Sequence, residues 1–192
     1  MIIDKLFIDN QYAWIVDMPR PTSPSAALPI AHLCLRILVV VNWLYGAALI
    51  ALLIVMPHEQ WIMSAFKIAP SPDAARLIMG MRVIAGAGLA AVPLNYTVLT
   101  RLLAIVGTVR NGDPFVAANA QRLQAIAWVL LALQLLSIFI GAVARSVSTP
   151  AHPVHLDAGF SISGWLAVLL TFLLARVFAA GTLMRDDLEG TV

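Results

Sequence analysis

Charged side chains are scarce in this chain of 192 residues. Only 11% of its residues are Asp, Glu, Lys or Arg, whereas 61% are hydrophobic, and the mean hydropathy is +0.90. An ordinary soluble domain carries about 25% charged residues, because water must hydrate its surface. Ten acids and twelve bases are too few to cover a soluble protein of this size. The composition therefore indicates that much of the surface faces lipid.

Several chemical features are also missing, and each absence excludes a class of function. The net charge is only +2, without a cluster of Lys and Arg, so we expect no direct nucleic-acid binding. The single cysteine, Cys34, excludes an internal disulfide bond and a thiolate metal cluster. No apolar segment carries paired carboxylates or a Gly-x-Ser-x-Gly turn. We therefore expect no catalytic residues, no cofactor and no enzyme activity.

Four apolar segments are long enough to cross a bilayer, which requires about 20 residues at 1.5 Å per residue. The predicted spans are residues 33–56, 77–100, 123–144 and 162–184. They predict an all-α integral membrane protein, a four-helix bundle with up-down-up-down topology over residues 33–192. The preceding residues 1–32 are expected to form an N-terminal segment and a proline-rich linker.

The distribution of Lys and Arg predicts the orientation of these spans. Eight of the twelve bases fall on the side of the N-terminus, the middle loop and the C-terminus. Without Arg82 and Arg176, which lie inside spans, the ratio is seven to three. The positive-inside rule then places both termini in the cytoplasm. We expect a multi-pass protein of the bacterial inner membrane.

The second and third helices are predicted to be longer than the bilayer requires. The helical pattern continues past Arg101 until Asn111 and Gly112 end it, as glycine commonly does just after a helix. Asp113 is expected to cap the third helix, with Pro114 in its first turn. The two helices should therefore extend into the cytoplasm as an antiparallel hairpin.

Two stretches carry a family resemblance, residues 109–127 and the last ten residues. The positions concerned are Gly112, Pro114, Phe115, Asn119 and Arg122, followed by Leu183, Asp186, Asp187 and Glu189. With the four spans, they resemble a YoaS-like bacterial family of small membrane proteins of unknown function. The resemblance covers about residues 33–192 and implies no reaction. Members often occur beside a small helix-turn-helix regulator, which implies a regulatory pairing.

The leading hypothesis is a regulatory or sensor component that binds a cytoplasmic partner such as a transcription regulator. The hairpin and the acidic tail would form the binding face. The partner-binding candidates are Gly112, Pro114, Phe115, Asn119, Arg122, Asp186, Asp187 and Glu189. The alternative is a small transporter or exporter subunit for a hydrophobic or metal cargo. That alternative requires a homo-oligomer, because four spans rarely enclose a pathway.

Histidines predicted on the non-cytoplasmic side are weak candidates for metal ligands. His58, His152, His155 and Asp157 are predicted to lie on the non-cytoplasmic side. Imidazole and carboxylate ligands suit Zn²⁺ or Ni²⁺. However, the spacing of two histidines in one loop fixes no geometry, so solvated loop histidines are the competing interpretation.

A few polar side chains are predicted to lie within the spans: Arg82, Arg176, Asn42, Asn95 and Gln134. The arginines should snorkel or form structural pairs, with Asn95, Tyr96 or Asp187 as candidate partners of Arg176. The three amides should hydrogen-bond across helices, each contributing about 0.6 to 2 kcal/mol. A ligand contact is the alternative.

Small residues cluster in the second span. Residues 86–91 match the sequence pattern of a dinucleotide-binding motif, but that motif requires a preceding strand. Inside an apolar helix, residues such as Gly80 and Gly88 let neighbouring helices approach closely. We therefore expect helix packing here rather than cofactor binding.

Overall fold

The computed structural model describes residues 27–56, 72–149, 154 and 156–189. Within these residues there are four α-helices and no strand. The helices are α1 (Ala27–Val55), α2 (Pro72–Arg110), α3 (Ala117–Val147) and α4 (Ile162–Glu189). Each is long and apolar enough to cross a membrane. The predicted all-α fold with four candidate spans is therefore confirmed, whereas residues 1–26 lie outside the described part.

The helices pack in chain order. α1 contacts α2, α2 contacts α3 and α3 contacts α4, and no other pair of helices is in contact within the described residues. Neighbouring helices are antiparallel: Asn42 lies beside Val92, and Met56 lies beside Arg82. Since α1 has one such neighbour, only 11% of its most apolar stretch is buried, against 33% for α2.

Glycines on α2 allow both of its neighbours to approach, as the sequence predicts. A methyl group at Gly88 would lie 3.2 Å from the Leu49 side chain of α1. A methyl group at Gly80 would lie only 2.5 Å from the Val147 side chain of α3. Gly86, by contrast, has nothing within 4 Å of that position. The small residues therefore serve two helix interfaces on different faces of α2.

α2 and α3 are longer than a bilayer requires, as the sequence predicts. α2 has 39 residues and so measures about 58 Å, roughly twice the 30 Å of a hydrocarbon core. It continues past Arg101 to Arg110, and Gly112 follows with a positive φ of 80°. This left-handed conformation is the reason that a glycine ends the helix here.

The predicted cap of α3 is wrong. α3 begins only at Ala117, after Val116, which makes no side-chain capping bond. The Asp113 carboxylate instead forms an ion pair with Arg185 of α4, and the Asp113 N–H donates to the Thr108 carbonyl at 3.1 Å. A partner distant in the sequence thus replaces the local capping interaction.

α4 begins well inside the other end of α3. The backbone of Ala158 lies directly on Gly141, where a side chain would collide with it. The Ser137 hydroxyl accepts a hydrogen bond from the Gly159 N–H at 3.2 Å and lies 3.3 Å from the Gly159 carbonyl. Ser137 is about ten residues, or about 15 Å, from the end of α3 at Val147. Non-helical backbone at this depth needs such protein partners, because lipid supplies none.

Candidate functional site at the hairpin end

The part of the molecule around the α2–α3 turn, residues 101–122 with α4 from Phe178 onward, is termed the hairpin end. At its centre the Asn119 side chain is fully buried, with 0% exposure. Its Nδ2 donates to Thr108 Oγ1 at 2.7 Å and to the Pro114 carbonyl at 2.9 Å. Its Oδ1 accepts from Arg122 Nη1 at 2.8 Å. These four residues form the asparagine network, which ties α2, the turn and α3 together.

The asparagine network leaves few polar groups of the turn unsatisfied. Thr108 Oγ1 accepts from Asn119 and also donates to the Ile105 carbonyl at 2.7 Å. The Gly112 N–H donates to the Val109 carbonyl at 3.1 Å. A fully satisfied polar network fixes one arrangement, because any alternative leaves buried groups unpaired. The turn is therefore a preformed structure.

The C-terminal part of α4 packs on this turn. The Phe115 and Phe178 rings lie 5.4 Å apart, and a methyl group at Gly181 would lie 3.1 Å from the Phe115 ring. One helical turn further, Arg185 pairs with Asp113. The three α4 residues are spaced by three and four positions, so they share one face of the helix. These five residues are termed the tip cluster.

The predicted partner-binding residues fall into three groups. Gly112, Pro114, Asn119 and Arg122 build the turn, as described above. Phe115 joins the tip cluster and keeps 44% of its surface exposed. Asp186, Asp187 and Glu189 belong to the last turns of α4, and their side chains lie outside the described part. Partner binding by these residues remains a prediction.

Three contact residues of the hairpin end were not identified from the sequence. Thr108 is an ordinary residue of an apolar helix, and its role depends on Asn119, eleven positions away. Phe178 and Gly181 share a helical face with Arg185, and this spacing was the available signal. It did not indicate which helix the face contacts, since apolar residues surround it on all sides.

A groove lies between α3 and α4 next to the tip cluster. It has a volume of about 600 Å³, and Gln121, Gln124, Trp128 and Arg176 are among the residues that line it. We call it the interfacial groove. Within the described residues α4 does not contact α2, which carries Asn95 and Tyr96, so these two predicted partners are not beside Arg176. The side chain of the third, Asp187, lies outside the described part.

Two of the predicted intramembrane amides lie between α1 and α2. Asn42 Nδ2 donates to the Val92 carbonyl at 3.1 Å, which confirms the expected bond across helices. Asn95 lines an open groove of about 360 Å³ together with Asn42 and Tyr45. Arg82 Nη2 donates to the Met56 carbonyl at 2.8 Å and so links the end of α1 to α2.

Gln134 does not form the hydrogen bond expected of it. Its side chain is buried, with 8% exposure, and lies against Gly164 of α4. The Gly164 N–H is already bonded to Ser161 Oγ at 3.2 Å. It is therefore not available to Gln134 Oε1, and Gln134 Nε2, a donor, also has no partner among the described residues. At this level α3 and α4 are joined by close packing rather than by a hydrogen bond.

The histidine hypothesis concerns residues that are mostly not described. His58, His152 and His155 lie outside the described part, and Asp157 is exposed. Within that part, no three His, Cys, Asp or Glu residues are grouped as metal ligands would be. Metal binding by these residues remains a prediction.

Comparison with known proteins gives a family without an assigned activity. Residues 63–192 match the family described as Protein of unknown function (DUF2975). No curated protein matches the chain, and no solved structure matches it. The matched part includes α2, α3 and α4, and hence the asparagine network, the tip cluster and the interfacial groove, whereas α1 precedes it. Since more than half of the 192 residues match, the chain belongs to the DUF2975 family of proteins of unknown function.

Proposed function

We propose that this protein is a non-enzymatic regulatory component of a bacterial inner membrane, and that its hairpin end binds a soluble protein in the cytoplasm. The observation that carries the proposal is a preformed, partly apolar surface beyond the membrane-spanning length of the helices. The resemblance to the YoaS-like family makes a helix-turn-helix regulator the first partner to test.

The surface in question surrounds the tip cluster. Phe115 is 44% exposed, and Leu183 and Met184 on the adjoining turn of α4 are 66% and 65% exposed. Beside them lies the half-exposed ion pair between Asp113 and Arg185. Aromatic residues, Met and Arg are enriched at protein interfaces, where a few such side chains contribute most of the binding energy. Because the asparagine network already fixes the turn, binding costs little ordering of the backbone.

The positions of the arginines support a cytoplasmic hairpin end. Six arginines lie toward this end of the described helices: Arg36, Arg101, Arg110, Arg122, Arg176 and Arg185. Toward the opposite end lie Arg76, Arg82 and Arg145. An excess of Lys and Arg marks the cytoplasmic side of bacterial membrane proteins.

Cysteine labelling in intact spheroplasts tests this orientation. The background variant is Cys34→Ser, which removes the single cysteine. Asn111→Cys and Ser146→Cys then place one exposed thiol at each end of the described structure. A membrane-impermeant maleimide should label Cys at position 146 and leave position 111 unlabelled until the membrane is permeabilised. The reverse pattern would place the hairpin end outside the cytoplasm.

Quantitative co-purification from detergent-solubilised membranes tests partner binding. Phe115→Ala and Met184→Glu alter the surface, whereas Leu169→Ala changes an exposed residue, 64% accessible, in the middle of α4. Loss of a hot-spot side chain costs about 2 kcal/mol, or about thirtyfold in affinity. We expect one protein to be recovered with the wild type and the Leu169 variant but not with the other two. Recovery that is the same for all four proteins contradicts the proposal.

A small transporter or exporter subunit is the second candidate, and the open interfacial groove is the observation that favours it. The described helices contact only their chain neighbours, so a closed pathway would need another copy of the chain. The mass of the detergent-solubilised protein, measured by light scattering, separates the two candidates. A stable monomer counts against transport.

A further inference from the structure

The interfacial groove exists because small residues face each other across α3 and α4. Ala120, Ala175 and Ala179 are among the residues that line it. On the side toward the middle of the helices, the groove ends where Trp128 packs edge-on against Phe172, with ring centroids 5.2 Å apart. A volume of about 600 Å³ is within the usual range of small-ligand sites.

The polar lining of this groove is suited to an anion. Arg176 supplies a positive charge, Gln121 and Gln124 supply amide donors, and the described lining contains no carboxylate. The side chains of Asp186 and Asp187, on the next turn of α4, lie outside the described part. All three polar lining side chains are exposed, and none forms a hydrogen bond or ion pair with the described residues. A guanidinium offers paired N–H donors whose geometry matches phosphate oxygens.

The groove also lies at the depth of lipid headgroups. Between Gln124 and Arg145, α3 contains 20 residues without a charged side chain, a length of about 30 Å. This length corresponds to one hydrocarbon core of about 30 Å. Gln124 therefore marks one interface, and Trp128, which is 58% exposed, lies just inside it, where indole rings are favoured.

We propose that the interfacial groove binds the headgroup of an anionic phospholipid. Arg176 binds the phosphate, and Gln121 and Gln124 donate hydrogen bonds to headgroup oxygens. The acyl chains lie along α4, where Leu169 and Leu173 are 64% and 61% exposed. Basic pockets between transmembrane helices commonly bind such lipids. The proposal does not depend on a protein partner at the tip cluster.

Native mass spectrometry of the purified protein with defined lipids tests the proposal. The protein in detergent is mixed with equal amounts of phosphatidylglycerol and phosphatidylcholine, and the lipids that it retains are counted. Wild type should retain phosphatidylglycerol preferentially, and Arg176→Gln should weaken this retention roughly tenfold, since a charge-assisted bond is lost. Arg145→Gln is the matched control, because it removes an exposed arginine near the other end of α3.

A second variant separates loss of the site from loss of charge. Ala179→Leu keeps Arg176 but fills the groove, and it should also lose the lipid while its thermal unfolding without lipid stays that of the wild type. Equal retention by wild type and either groove variant overturns the proposal. An equal loss in Arg145→Gln, or displacement of the lipid by millimolar inorganic phosphate, also overturns it.

Discussion

The two ends of the α3–α4 pair are joined by different kinds of contact. At the hairpin end, side chains meet: Phe115 lies against Phe178, and Asp113 pairs with Arg185. At the opposite end, the backbone of residues 158–159 rests directly on Gly141 and is also hydrogen-bonded to the Ser137 hydroxyl. One junction consists of separable side-chain pairs, and the other mainly of backbone packed against backbone.

This difference indicates which end can respond to a partner. An exposed ion pair contributes about 1 kcal/mol or less, and an aromatic pair about 0.5 to 1.5 kcal/mol, so each can separate at small cost. Close-packed backbone has no alternative arrangement of similar energy. We therefore interpret the opposite end as the fixed frame. At the hairpin end, α4 can move at small cost against the turn, which the asparagine network holds in place.

The largest effect is expected from Gly141→Ala. A Cβ atom at this position would collide with the carbonyl of Ala158, and backbone cannot move aside as a side chain can. Overpacking of this kind should cost about 3 kcal/mol in the free energy of unfolding, measured in mixed micelles. Gly86→Ala is the control, because it meets no atom within 4 Å and should even gain up to about 1 kcal/mol in helix propensity. Similar free energies of unfolding for the two variants would show that the backbone contact at Gly141 is not close-packed, and so would contradict the difference between the two ends.

Asn119→Leu should have the next largest effect. It removes all three side-chain bonds of Asn119 and leaves the Arg122 guanidinium and the Pro114 carbonyl without that partner. Buried groups left unpaired cost about 1 to 3 kcal/mol, so we expect a loss of about 2 kcal/mol. Limited proteolysis should then cut near residues 111–116, where the wild type resists. A variant as stable and as resistant as the wild type would show that the turn does not need the asparagine network.

The Asp113–Arg185 pair should contribute little to stability. The two side chains are 42% and 44% exposed, so water and salt screen their attraction. A double-mutant cycle with Asp113→Asn and Arg185→Gln should give a coupling free energy below about 1 kcal/mol, and it should fall further in high salt. A coupling free energy of several kcal/mol would show that α4 is held at the hairpin end as firmly as at the opposite end.

The smallest effect is expected from Gln134→Met. Gln134 is buried like Asn119, but its Nε2 has no partner in the described structure. An apolar side chain of similar length removes an unsatisfied donor, so the free energy of unfolding should change by less than about 0.5 kcal/mol or rise. A loss comparable to that of Asn119→Leu would show that Gln134 has a polar partner in the membrane.

Local patterns in the sequence predicted the helices well. The lengths of the apolar segments identified the four candidate spans, and Asn111 with Gly112 marked the end of α2. These features depend on neighbouring residues, which a sequence displays directly. Asp113 shows the limit of this reasoning, because α3 begins only at Ala117 and Asp113 instead pairs with Arg185, 72 positions away.

The contacts that shape the candidate site could not be predicted in the same way. Phe115 was identified as a site residue, yet its position against Phe178 and Gly181 depends on how α4 docks. In a chain that is apolar on most faces, periodicity does not reveal which face of a helix meets which neighbour. The sequence also did not predict that the residues before α4 lie beside Ser137, because this position results from a loop that folds back on α3.

Site-specific photo-crosslinking in living cells tests the proposed role of the hairpin end most directly. A photoreactive amino acid is placed at Asn111, which is exposed at the turn, or at Ser146, which is exposed near the opposite end. Crosslinking from position 111, but not from position 146, to one soluble cytoplasmic protein is the result that we expect. Phe115→Ala should abolish that adduct. Adducts from position 146 alone, or none from position 111, would contradict a docking role for the hairpin end.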